Sequence, residues 1–210
     1  MRKVLIIIAG LVAPLSLAAS EADLKMPDGF ASAPETHILY WGFAVVLIGL
    51  IFGFWQYLHV KNLPAHKKMS DIGDVIFKTC STYLKQQGKF LGLLFLFIGA
   101  AVVLYFGVLE HTGLGAVCLI LAWTVIGVLG SYSVAWYGIR MNTYANARMA
   151  FASLLRKPLF LLNIPLTAGM SIGIVLVCIE LLLMLTILLF MPANLAGSCF
   201  IGFAIGESHG

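Results

Sequence analysis

Charge is what this sequence has least of. Only 10% of its 210 residues are Asp, Glu, Lys or Arg. An ordinary soluble domain carries about a quarter, so a water-soluble globular fold is excluded. Nine acidic residues in the whole chain leave few carboxylates for any site that needs several. Cysteine is sparse too. Cys80, Cys118, Cys178 and Cys199 form no C-x-x-C, and none has a histidine at metal-ligand spacing. That excludes a disulfide framework and a zinc site; three of the four lie in apolar runs, where cysteine acts as a small hydrophobe. No G-x-x-x-x-G-K-[ST] occurs, and Gly113-x-Gly115 has no strand before it, so no phosphate-cradling loop is expected. His37, His59 and His111 sit at the ends of apolar runs, not facing one another at mid-run as a bis-histidine haem site requires. The formal net charge of +4 is thinly spread, and no nucleic-acid partner is expected.

What is present is long hydrophobic runs. The mean hydropathy is +1.00 and 61% of residues are hydrophobic, the balance of a membrane protein. The expected fold is all-α: a polytopic bundle of four full transmembrane spans plus an incomplete fifth. Residues 1–20 have a basic start, a short apolar run and small residues after it. They read as a signal peptide, with an uncleaved first helix as the alternative. An acidic outer segment, 21–35, follows. From 21 to 210 the chain reads as part of one integral membrane domain.

The spans fall at about 38–59, 90–109, 114–137 and 162–191. The first is flanked by Tyr40 and Trp41 at one end and Trp55 and Tyr57 at the other, as an interfacial aromatic belt requires. The fourth belongs to an apolar run, 159–191, longer than the ~20 residues a bilayer needs. Pro165 near its start is a natural kink. A fifth run, 198–210, is shorter than a span and has no basic flank or helix stop, so the chain reads as unfinished there.

The connections set the expected orientation. Six lysines lie between Lys61 and Lys89, and Arg140, Arg148, Arg156 and Lys157 follow the third span. Segments 110–113 and 192–197 contain no Lys or Arg. The positive-inside rule places loops 61–89 and 138–158 in the cytosol and the mature N-terminus outside; a cleaved signal peptide gives the same answer. The setting is an integral membrane protein, read as one of a bacterial inner membrane, with lipid as its first partner.

Residues 70–88 read as an amphipathic helix on the cytosolic side. Ile72, Val75, Ile76, Thr79, Cys80, Tyr83 and Leu84 recur at helical spacing. Ser70 suits the N-cap, Asp71 and Asp74 suit the positive helix start, and Gly88 suits the stop. The stretch can pack on the span ends, continue into the second span, or lie along the lipid surface.

Three Gly-x-x-x-Gly pairs, 49/53, 169/173 and 202/206, suggest close helix packing. Glu180 sits well inside the fourth span, where a carboxylate costs about 2.5–3.5 kcal/mol on insertion scales. It must face the bundle, either knitting helices together or serving transport. Glu207, in the fifth run, is a second candidate intramembrane polar position.

Three stretches carry a family resemblance: 71–91 (DIGDVIFKTCSTYLKQQGKFL), 138–155, in which 143–148 read T-Y-A-N-A-R, and 198–210 with its G-E-S. In order, they resemble the N-terminal part of a membrane-bound inorganic pyrophosphatase. Thr143, Asn146 and Arg148 match that family's T-x-A-N-A-R stretch, read here as a loop between the third and fourth spans. Met149 and His209 depart from the family's usual residues after A-N-A-R and G-E-S.

The resemblance implies an all-helical homodimer that hydrolyses cytosolic pyrophosphate and pumps H⁺, Na⁺ or both outward. It implies Mg²⁺ with the pyrophosphate, and K⁺ as a further ion whose requirement these residues do not decide. A multi-Mg²⁺ site needs many carboxylates; Asp71 and Asp74 are the carboxylates on the cytosolic side. No catalytic, metal-binding or substrate-binding residue is therefore assigned, and this stretch alone is expected to be inactive. The competing reading is a non-enzymatic transporter or assembly subunit whose Glu180 supports packing.

Overall fold

The computed structural model describes residues 36–109, 113–155 and 158–209, of which His209 only as backbone. The signal-like segment 1–20, the outer segment 21–35, His111, Arg156 and Lys157 lie outside the described residues. Those described form helices and short connections, with no strand among them. In order they are α1 (Thr36–Asn62), α2 (Lys67–Val102) with a π-helical continuation (Val103–Leu109), α3 (Leu114–Ser153), α4 (Pro158–Phe190) and α5 (Ala196–His209). The first four are long and apolar enough to cross a membrane, and α5 is a shorter fifth.

Helix is the outcome the physics allows. In hydrocarbon no water can satisfy a backbone N–H or C=O, so an apolar span must bond within itself. Two helices run far past a bilayer's needs. The stretch Lys67–Leu109 has 43 residues and α3 has 40; at 1.5 Å per residue each is roughly 60 Å, about twice the hydrocarbon thickness. Their extra lengths lie together at the lysine-rich end.

The helix expected at 70–88 is continuous with the second span. It begins at Lys67, capped by His66, whose Nδ1 accepts from the Lys68 N–H at 3.3 Å, not at Ser70. It passes through Gly88 without stopping. A Cβ at Gly88 would lie 3.1 Å from the Tyr132 ring, so this glycine serves close packing on α3 instead of termination. Residues 138–153, expected as a loop, are helical as well. From Ile139 to Ser153 they hold no Gly or Pro, and four alanines among them favour helix.

The helix α2 turns an unexpected face inward. Gly73, Phe77 and Leu84 meet α3, where a Cβ on Gly73 would touch Ala147 and the Thr143 carbonyl and Phe77 meets Trp136 edge-on. Of the apolar stripe, Val75 and Tyr83 point away from the bundle, Tyr83 being 71% exposed, while Ile72 and Ile76 stand at the rim of a groove against α3.

The helix α3 is central and touches all four others. Against α5 the backbones nearly meet. A Cβ on Gly202 would stand 2.7 Å from the Ile120 carbonyl oxygen, one on Gly127 2.5 Å from that of Phe203, and one on Gly206 closer still to Thr124. Gly49 and Gly53 of α1 instead make room for the side chains of Cys178 and Val175 of α4. The pair Gly169/Gly173 does not: a Cβ at either meets nothing. One apolar core lies at the end away from the lysines, around Ile120, Trp123, Ile187 and Phe203. Another, around Val60, Met141, Ala145 and Ile164, lies at the lysine-rich end.

Candidate functional site

Three polar constellations lie between these helices. The first is at the lysine-rich end, on one face of α3. Tyr137, Arg140, Tyr144 and Arg148 are three or four residues apart, which stacks them along a single helical face. Arg148 is only 9% exposed. Its Nη1 donates to the Tyr144 carbonyl at 3.2 Å, and its Nη2 donates to the Lys61 carbonyl at 2.5 Å. That carbonyl belongs to the last turn of α1, where helices leave carbonyls without intrahelical partners. A cation there also meets the negative end of the helix dipole. Arg148 therefore fastens the end of α1 to α3; its Nε is buried and without a hydrogen bond.

Arg140 ties α2 to the same cluster. Its guanidinium lies 4.2 Å from the Phe77 ring centre and 4.4 Å from that of Tyr144, and it pairs with Asp74 at 3.6 Å. Arg148 lies over the same Tyr144 ring at 4.8 Å. Two guanidiniums on one ring suit cation–π attraction, which favours Arg over Lys.

The motif residues Thr143, Asn146 and Arg148 do not converge. The Thr143 hydroxyl donates back to its own helix, to the Ile139 and Arg140 carbonyls, while its backbone meets Gly73. Asn146 is exposed and lines a shallow groove with Met69, Ile72 and Gly73 of α2. Arg148 faces α1. Each residue therefore serves a different helix contact.

The second constellation is inside the membrane. Glu180 of α4 and Glu207 of α5 line one small cavity together with Gly127, Gly130 and Ser131 of α3, and the shared cavity makes the two carboxyl groups neighbours. The missing side chains of Gly127 and Gly130 let three helices come close enough for this. The two candidate intramembrane carboxyls, 27 positions apart in sequence (207 minus 180), are thus neighbours.

The third constellation is made of hydroxyls. The Ser171 Oγ donates to the Gly53 carbonyl at 2.9 Å, the Tyr137 hydroxyl reaches the same carbonyl at 3.2 Å, and the two side chains are 2.7 Å apart. α1, α3 and α4 meet at that carbonyl. Sequence reasoning missed Tyr137, Tyr144, Arg140 and Ser171. The three-and-four spacing on α3 was the signal that could have found the first three.

Among the described residues no three His, Cys, Asp or Glu side chains gather as metal ligands. Asp71 and Asp74 are both exposed, and Asp74 is engaged by Arg140. A cluster of Mg²⁺ ions with pyrophosphate needs several converging oxygens; Asp71 and Asp74 by themselves are two carboxylates.

The family model described as inorganic H⁺ pyrophosphatase matches residues 47–210. A curated protein of Chlorobaculum tepidum, named a K⁺-insensitive pyrophosphate-energized proton pump, is 54% identical over 170 residues. That match covers 81% of this chain and 23% of the relative, so the chain spans about a quarter of the relative's length. No solved structure gave a significant match.

Proposed function

We infer the function from one premise: this chain belongs to the inorganic H⁺ pyrophosphatase family. It is part of an integral membrane pump in which hydrolysis of cytosolic pyrophosphate drives ions outward, and it supplies that pump's N-terminal helices. The observation that carries the proposal is the 54% identity to a pyrophosphate-energized proton pump over four-fifths of the chain. H⁺ is the first candidate for the transported ion, because that relative is named for it; Na⁺ is the second, from the wider resemblance. The relative's name also says K⁺-insensitive, which speaks against a K⁺ requirement here.

Within such a pump the role of residues 36–209 is scaffold and lever. Coupling needs stiff elements that join a reaction at the membrane face to an ion path in its middle. α2 and α3 have the required length, and the Arg140–Tyr144–Arg148 face locks their lysine-rich ends to α1. Glu180 and Glu207 are the carboxyls placed where an ion path would run. Mg²⁺ and pyrophosphate belong to the family's remaining length, and the full-length protein is a homodimer. The lysine-rich end is the cytosolic one, in a bacterial inner membrane, and this segment alone does not hydrolyse pyrophosphate.

A chimera tests this. The matched 170 residues of the Chlorobaculum tepidum pump would be replaced by those of this chain. Inverted vesicles carrying the chimera should hydrolyse pyrophosphate with Mg²⁺ and acidify inside. A chimera that inserts and folds yet does neither would refute the assignment. Hydrolysis by the 210-residue chain alone would refute the scaffold role.

A further inference from the structure

A groove of about 280 Å³ runs between α2 and α3, walled by Gly88, Gly92, Phe95, Val125, Leu129 and Tyr132. It exists because Gly92 leaves side-chain space empty, while Gly88 lets the Tyr132 ring close in on α2. A Cβ on Gly92 would meet nothing within 4 Å. The Tyr132 ring crosses the lysine-rich end of the groove, its hydroxyl donating to the Leu84 carbonyl at 3.3 Å. The walls are apolar, so what lies along them must be hydrocarbon.

The mouth has different chemistry. Lys85 and Lys89 lie two turns and one turn before Gly92, on the same side of α2, and both are exposed. Helical side chains lean toward the helix N-terminus, which carries both ammonium groups out of the apolar zone toward the lysine-rich face, as snorkelling lysines do. Neither has an ion-pair partner among the described residues. α3, the facing helix, contains no Asp or Glu along its length. Trp136, half exposed on α3 one turn beyond Tyr132, lies beyond the groove toward the lysine-rich end, where an amphipathic ring prefers the headgroup region.

We propose that this groove is a binding site for one anionic phospholipid, an acyl chain lying along Gly88 and Gly92 and the headgroup phosphate between Lys85 and Lys89. Charge complementarity selects the occupant. A helix from another subunit would need a carboxylate to meet the two lysines. A lipid brings both a narrow tail and a negative head.

Native mass spectrometry of the purified chain, offered phosphatidylglycerol and phosphatidylcholine with identical acyl chains, tests the assignment. One phosphatidylglycerol should be retained with a preference of about tenfold or more, given two juxtaposed lysines. Lys85→Gln with Lys89→Gln should abolish the preference. Gly92→Leu should fill the groove and remove retention of both lipids. Leu129→Phe, on the facing wall, provides a second blocking variant if Gly92→Leu fails to fold. Leu114→Phe, 86% exposed at the other end of α3, should change nothing. Equal retention of the two lipids, or full retention by a folded blocking variant, overturns the proposal. So does a dimer that Gly92→Leu dissociates, which would give the groove to a second copy.

Discussion

The Nη2 of Arg148 donates to the backbone carbonyl of Lys61, 2.5 Å away and 87 residues distant in sequence. One buried guanidinium thereby closes the end of α1 onto α3. A hydrogen bond from a charged group contributes about 1.5–3 kcal/mol, and its loss leaves the Lys61 carbonyl without that partner. Arg148→Ala should lower the thermal unfolding midpoint of the detergent-purified chain by several degrees. Arg148→Lys should recover little of it, because an ammonium cannot reach two carbonyls and stack on Tyr144 at once. Full rescue by lysine would show that charge alone matters there.

The contact between α3 and α5 leaves no room for a methyl group. Gly202→Ala and Gly206→Ala must push two backbones apart, and overpacking of this kind costs about 1–3 kcal/mol. Gly169→Ala and Gly173→Ala face open space. They should be neutral, or stabilise by up to about 1 kcal/mol through helix propensity. Unfolding of the four variants in a denaturing-detergent titration separates the two pairs.

Tyr137 and Ser171 share the Gly53 carbonyl, so their deletions should not add. Tyr137→Phe and Ser171→Ala should each cost about 0.6–1.7 kcal/mol, the range for hydrogen bonds between membrane helices. The double variant should cost less than the sum. Strict additivity in the same titration would mean that the two hydroxyls act separately.

Glu180 and Glu207 should also be coupled. Glu180→Gln and Glu207→Gln, alone and together, form a double-mutant cycle whose interaction energy should fall in the range of about 0.5–3 kcal/mol expected for residues in contact. A value near zero would contradict the shared cavity.

Topology is checked at Cys80. It lies on α2 between Lys78 and Lys85, half-buried. A membrane-impermeant maleimide should label it in inverted vesicles and not in intact cells. Labelling from outside only would invert the orientation given by the lysines.

The amphipathic stretch 70–88 shows how far sequence reasoning carries. Its apolar face was legible at helical spacing, and so was its helicity. Which face would meet the bundle was not, because apolarity does not decide packing beside a membrane. Small residues decide it: Gly73 and Gly88 let α2 approach α3, while Val75 and Tyr83 stay outside. The same reason separates Gly202 and Gly206, which pack, from Gly169 and Gly173, which do not. Glu180 and Glu207 were legible as costly residues that must face inward; that they face each other was not.

By itself, the amino-acid order determined the membrane setting, the helical class and the number of long spans. Apolar runs of bilayer length must satisfy their own backbones, and that follows from composition alone. Only the tertiary structure decided the meetings: Arg148 with Lys61, Glu180 with Glu207, Ser171 with Gly53. Helices apolar on every side carry little sequence signal for their rotation, and rotation is what brings one helix's polar groups to another's.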